Sequence, residues 1–274
     1  MADRLRYATA DLHVHTALSP CASAEMTPPA IVRAALARGL DMIAICDHNS
    51  ARNVAAVQEA AVHAAQCAAL HASRQAGPGG AQRGHEGRLT VLAGMEISSA
   101  EEVHVLGLFP DATAAEAAGV EIRRTLPEAG DGYGAFFGEQ PLMSADGRVL
   151  GAETAALALA TSLELDAVVD LIKRHGGLAV AAHIDRKAFS VFSQLGFFPA
   201  EAGFDAIEVT RFTGDDSPRM AGFRALGLPI TSSSDSHYLE DIGSAATGLT
   251  VAVPSFAEVA LAFAGLEGRA VGRA

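Results

Sequence analysis

The sequence predicts one α/β barrel, mostly parallel, with its chemistry at the carboxyl ends of the strands. Three observations carry this. Short apolar runs of strand length alternate with longer stretches of helical spacing. Those runs tend to end in a histidine or a carboxylate, where α/β barrels place their active groups. The chain has 274 residues, 50% of them hydrophobic, enough for a barrel of about 250 residues in one domain.

The first strand is read at Asp11-Leu12-His13-Val14-His15-Thr16. Side chains alternate along a strand, so His13 and His15 share a face while Val14 points into packing. A loop over 17–26 leads to a helix with Thr27 as N-cap, Pro28 at the first helical position and Gly39 just past the end. The run 41–46 is a buried strand ending in Asp47-His48-Asn49-Ser50. An alanine-rich helix follows over 50–73, and then a glycine-rich surface loop over 75–87. Strands are expected at 89–97, ending in Gly94-Met95-Glu96, and at 102–109, with His104 inside it.

From Pro110 to Leu163 the pattern weakens. This stretch reads as an insertion that partly covers the site, within a single domain spanning 1–274. In its Gly130–Gly138 segment, Tyr133 or Phe136 either stacks on a substrate or simply packs. A helix over 165–175 is closed by Gly176-Gly177. Strands follow at 178–182, ending at His183, and at 205–210, ending at Arg211. A helix over 216–226 leads to strand 229–233, which ends in Ser234-Asp235-Ser236-His237. The last strand is expected at 247–253 and the last helix at 255–266.

Composition narrows the function. Lys+Arg number 20 and Asp+Glu 32, a net charge of −12. Binding to long nucleic acid rests on phosphate neutralisation by basic residues, so long nucleic acid is not an expected partner. A small anionic substrate remains compatible, because bound cations reverse the local potential. Cys21, Cys46 and Cys67 form no C-x-x-C pair and suggest a reducing compartment. The opening residues lack a signal-peptide core, and no run is long enough to span a membrane. A cytoplasmic protein with no membrane partner is expected.

Of the 10 histidines, His13, His15, His48, His104, His183 and His237 fall at or near strand ends beside Asp47, Glu96 and Asp235. Burying so many titratable groups at one barrel mouth is costly unless cations compensate them. Imidazole with carboxylate suits Zn, Mn or Fe better than Ca or Mg. His63, His71, His85 and His175 are given no role.

The ordered set Asp11-Leu-His13-Val-His15-Thr, Asp47-His48, Gly94-Met-Glu96, Ala182-His183 and Asp235-Ser-His237 resembles the polymerase and histidinol phosphatase (PHP) family. The resemblance implies a distorted, TIM-like (β/α)7 barrel holding two or three divalent metal ions, and phosphoester hydrolysis. It implies one ion on His13, His15, Glu96 and Asp235. A second sits on Glu96, His104 and His183, with Glu96 bridging, and a third on His48 and His237. Cys21 either completes the third site or is only a small buried side chain. Asp47 is expected to orient His48, or to support the ligands from behind, rather than bind metal.

Two close cations would lower the pKa of a bridging water, giving a hydroxide that attacks phosphorus, with Glu96 central to the catalysis. Arg186 either holds a phosphate oxygen or makes a surface ion pair; Arg211 is a second phosphate-binding candidate. Either Asp235 or His237 would pass a proton to the leaving oxygen. The expected substrate is a small phosphorylated compound, with nucleotides favoured. An exonuclease or oligoribonuclease, a histidinol-phosphate phosphatase, and a metal-binding module without turnover are the alternatives.

Overall fold

The computed structural model describes residues 4–75 and 88–273. The loop expected over 75–87, with His85, lies almost wholly outside the described residues. Strands β1 (Arg6–Val14), β2 (Met42–Ile45) and β3 (Thr90–Ser98) pair in parallel, separated by helices α1 (Pro28–Ala37) and α2 (Val54–Gln75). Strand β4 (His104–Phe109) then runs antiparallel to β3. Helices α3 (Ala112–Arg123) and α4 (Tyr133–Phe137), a hairpin of β5 (Pro141–Met143) and β6 (Val149–Ala152), and α5 (Leu165–Arg174) come next. The chain re-enters the main sheet as β7 (Leu178–Ala181). After α6 (Val191–Leu195) come β8 (Ala206–Val209), α7 (Pro218–Arg224), β9 (Ile230–Ser232), β10 (Thr247–Val251), α8 (Phe256–Phe263) and β11 (Ala270–Arg273).

Among the described residues the sheet has nine strands in the order β11-β10-β1-β2-β3-β4-β7-β8-β9. It curls until its far side meets β1. Val14 bridges Ser236, His15 N donates to Ser236 O at 3.1 Å, and Ser234 N donates to the buried Asp11 Oδ1 at 3.0 Å. The result is a nearly closed barrel, as expected.

It is not mostly parallel. The β3–β4, β4–β7, β1–β10 and β10–β11 ladders are antiparallel. The reason at β4 is the connection: five residues, 99–103, cannot make the crossover of a dozen or more residues that a parallel neighbour needs. Because β4 runs backwards, its first residue, His104, lies at the mouth where its neighbours end. The register expected to put His104 inside a strand beginning at residue 102 is corrected accordingly.

Small side chains fill the barrel. Ala8, Ala10, Leu12, Met42, Ala44, Leu92, Leu106, Val180 and Ala206 form one cluster, closed at its base by Val259, Ala262 and Phe263 of α8. The helices pack outside on a larger cluster that includes Val14, Ile31, Ile45, Val57, Val168 and Ile172. The β1–β2 register breaks between Asp11 and Val14. Leu12 belongs to the inner cluster and Val14 to the outer one, so the break turns His13 and His15 toward the barrel mouth. Gly94 lets β3 lie close to β2: a Cβ there would meet Cys46 Sγ at 2.6 Å and Ile45 O at 2.9 Å. No helix among the described residues is long and apolar enough to cross a membrane.

Candidate metal centre

Glu96 is the hub of the mouth. It lies on β3 and is 1% exposed. Its Oε1 contacts His104 Nδ1 at 2.7 Å and His183 Nε2 at 3.0 Å. Its Oε2 is buried without a hydrogen bond, yet lies 3.4 Å from both His13 Nε2 and His15 Nε2 and 3.0 Å from His48 Nδ1. Asp235 Oδ1 sits 3.3 Å from His13 Nε2 and 3.0 Å from His15 Nε2, and those two nitrogens are 3.1 Å apart. Two carboxylate oxygens and two imidazole nitrogens thus converge on one point.

The partners behind these rings settle which nitrogen carries hydrogen. His13 Nδ1 donates to the buried carboxylate of Glu208, 3.1 Å away, leaving Nε2 bare. His15 Nδ1 faces Ser19 Oγ at 2.8 Å. That hydroxyl already gives its proton to Asp47 Oδ1 at 2.7 Å and accepts from His48 N at 3.0 Å. It can therefore only accept from His15, whose Nε2 is also bare. Bare nitrogens facing carboxylate oxygens repel unless a cation lies between them. The donor set fits a metal ion on this ground.

With no cation, a proton must stand in. Burial alone would lower the His13 pKa, but Asp235, Glu208 and Glu96 outweigh burial and hold it well above its usual value. Burial and the neighbouring His237 push His15 well below its own. Glu96 and Asp235 are held below the ordinary carboxylate range: burial would raise each, but the surrounding imidazoles, His104 and His13 first for Glu96 and His13 first for Asp235, outweigh it.

Groups whose ligand atoms lie within mutual reach are His13–His15–Glu96–Asp235, His48–Glu96–His104 and His15–His48–His237. The first matches the expected first ion. In the second, His48 joins Glu96 and His104, while His183 touches the same carboxylate at Oε1. In the third, His15 stands with His48 and His237 where Cys21 was a candidate.

The structure does not bring Cys21 to the centre. It is exposed, at φ +74°, in none of these groups, and its N–H donates to Phe137 O at 3.0 Å. The turn after β1 directs Ser19, not Cys21, inward. Asp47 lies behind the ligands, on the turn and not on the His48 ring. It accepts from Thr16 N at 2.6 Å, Thr16 Oγ1 at 2.8 Å and Ser19 Oγ, so it fixes the turn that orients His15 rather than holding the His48 ring.

Arg186 Nη2 meets Asp235 Oδ2 at 2.5 Å, and Arg211 lies 3.6 Å from Asp241. Both line a cavity of about 160 Å³ that His183 and Asp235 also line. His237 Nδ1 contacts Asp235 O at 3.1 Å. Tyr133 packs on Phe137 and its hydroxyl accepts from Ala158 N at 2.7 Å, whereas Phe136 is exposed.

Glu208 and Ser19 were not singled out from sequence. Glu208 had a signal, a lone carboxylate within the apolar strand Ala206-Ile207-Glu208-Val209. Ser19, one hydroxyl in an ordinary turn, had none.

Comparison with known proteins now bears on this geometry. A PHP domain model matches residues 11–195, more than half of the chain, and a PHP-associated model matches 221–264. No curated protein matches. The lesion-specific endonuclease PfuEndoQ from Pyrococcus furiosus has a similar fold, with a TM-score of 0.65 at 17% identity over 97% of this chain and 58% of that one. Endonuclease Q in complex with a 27-mer duplex bearing an abasic lesion gives 0.63 at 16% identity, again over 97% and 58%. This chain spans little more than half the length of those proteins. An amidohydrolase from Chromobacterium violaceum, with bound sulfate and no metal, gives 0.56 at 21% identity over 96% and 97%.

One expectation is overturned here. Net charge was taken to count against long nucleic acid, yet a protein of this fold is seen on a 27-mer duplex. Global charge does not describe the local field of a mouth that holds cations. The matched segments carry the histidines and carboxylates of the hub on one nearly closed barrel, and the chain belongs to the PHP domain family of metal-dependent hydrolases.

Proposed function

We propose that the chain hydrolyses a small phosphorylated substrate, of the nucleotide class, at the Glu96 hub. The observation that carries this is the pair of bare Nε2 atoms of His13 and His15 facing Glu96 and Asp235, beside a cavity walled by Arg186 and Arg211. One divalent ion, Mn, Zn or Fe, would be held by His13, His15, Glu96 and Asp235. A second would be held by Glu96, His104 and His183, with His48 beside them. His15 has one available nitrogen and so serves one ion, which leaves His48 and His237 too few ligands for a closed third site. When bound, such ions supply positive charge that acidifies an attacking water and neutralises phosphoryl oxygens.

The protein's own groups do the rest. Glu208, Ser19 and Asp47 hold the His13 and His15 rings in one tautomer. Arg186 can exchange Asp235 for a phosphoryl oxygen, and Arg211 offers a second guanidinium. His237, at the rim, is placed to return a proton to the leaving oxygen. The 110–163 segment flanks the centre, since Asn49 Nδ2 donates to Leu157 O at 2.9 Å and to Leu159 O at 3.0 Å.

The similarity of fold to endonuclease Q favours a second reading, phosphodiester cleavage in DNA. The test is phosphate or fragment release from nucleoside mono- and bisphosphates, histidinol phosphate, short oligonucleotides and a duplex with an abasic site, using protein reconstituted with Mn or Zn. Release from a nucleotide supports the proposal; cleavage of the duplex alone replaces it with the second reading. Glu96→Ala should lose metal from both ions' sites and abolish turnover. Wild-type metal content and rate in that variant would remove Glu96 from the centre.

A further inference from the structure

We infer that the turn Thr210–Thr213 is a specificity element: it presents Phe212, backed by Arg211, to a flat aromatic group, a nucleobase, carried by the ester whose phosphate lies at the Glu96 hub. This rests on the phosphoester reading above and adds where the rest of the substrate lies.

The turn follows β8 and is exposed at its tip, yet it is clamped from beneath. Asp185, only 7% exposed, accepts from Thr210 N at 2.9 Å, Thr210 Oγ1 at 2.5 Å and Thr213 Oγ1 at 2.6 Å. Thr213 N closes the turn on Thr210 O at 3.2 Å. Charge-assisted hydrogen bonds of this kind are about twice as strong as neutral ones, so the tip is held rather than left to wander. What it holds out is Phe212, 81% exposed, with the Arg211 guanidinium 5.1 Å from its ring centroid. A cation against one face of the ring fixes its orientation.

The pair lines the same cavity as His183, Arg186 and Asp235. A cavity lined by two guanidiniums, by hub residues and by an exposed ring matches an ester with an anionic head and a flat aromatic body. Asp185 is not among the residues lining the cavity and bonds to the turn's backbone and threonines, so it acts as a positioning residue.

The test is equilibrium binding of two non-hydrolysable probes to manganese-reconstituted protein: the 5′-phosphonate analogues of AMP and of ribose 5-phosphate, which differ only in the base. Stacking one base on an aromatic side chain is worth about 1–3 kcal/mol, or roughly 5–150-fold in affinity. Wild type should prefer the adenosine probe by a factor in that range. Phe212→Ala should bring the ratio of the two affinities close to one, and Phe212→Tyr should restore it. Asp185→Ala should lower the ratio with Phe212 still present. Equal binding in wild type, binding of neither probe, or a ratio that survives Phe212→Ala overturns the inference. Phosphate release from AMP and ribose 5-phosphate is measured in parallel. Its absence from both would count against the hydrolase reading alone, because the binding ratio decides the role of the turn independently.

Discussion

Glu208 offers the sharpest test of how the centre is held. Its carboxylate is 2% exposed, accepts from His13 Nδ1 at 3.1 Å and also from His183 N at 3.2 Å. A hydrogen bond to a charged group contributes about 1.5–3 kcal/mol. Removing the partner behind a metal-ligating histidine costs about 10–100-fold in metal affinity, the same about 1.4–2.8 kcal/mol. The two estimates agree, so Glu208→Ala should weaken Mn or Zn binding by one to two orders of magnitude. Glu208→Gln keeps an acceptor near His13 but removes the charge, and its effect should fall at the low end. The gain in selectivity is that neither variant removes a ligand atom. Competition against a chromophoric chelator measures the affinity, and thermal melting of the metal-free proteins corrects for any change in fold. If Glu208→Ala binds metal as wild type does while His13→Ala does not, the carboxylate is not what fixes the His13 tautomer, and the argument from bare nitrogens loses its first half.

Other predictions follow from the same coordinates. Asp235, Glu208 and Glu96 outweigh burial and raise the His13 pKa in the metal-free protein, so a metal should compete with a proton there. Metal affinity should therefore increase as pH rises above about 6.5, the ordinary histidine value, with proton release seen by calorimetry in buffers of different ionisation enthalpy; affinity flat from pH 6.5 to 8 would mean that His13 enters neutral. Gly94→Ala should destabilise the fold by about 1–3 kcal/mol, because the new Cβ meets Cys46 Sγ and Ile45 O inside contact distance. Unchanged melting would show that β2 and β3 can separate there at no cost. Cys46 is fully buried, and burial pushes its thiol pKa up, whereas Cys21 and Cys67 are exposed. An aromatic disulfide reagent at pH 8 should titrate the two exposed thiols quickly and the third only on unfolding.

The histidines and carboxylates of the hub were legible because they interrupt apolar runs at or near strand ends: His13 and Glu96 lie within β1 and β3 close to their ends, and His104 opens β4. What escaped did so for local reasons. Glu208 is a single carboxylate in a four-residue apolar strand, with no second histidine or carboxylate beside it to mark the position. The choice of Ser19 over Cys21 depends on a positive φ at Cys21 that residue type does not announce. The direction of β4 was available from its short connection to β3. The short elements of 110–163, such as the three-residue β5, carry too few residues for periodicity to register, and β11 pairs at the sheet edge with a run as brief as Ala270–Arg273.

The way the barrel closes also has a kinetic meaning. His15 and Asp235 meet across 220 positions, and Asp11 holds Ser234 across 223. The hub draws on β1, β2, β3, β4, β7, β8 and β9, so no fragment of the chain contains it. Contacts at such separations form late, since the loop entropy between them must first be overcome. All the ligands of the centre are therefore together only once the barrel has closed. The β9 end meets β1 through the Val14–Ser236 bridge and the Ser234–Asp11 hydrogen bond rather than a full ladder, so this seam is where the barrel would part with the least loss of strand pairing.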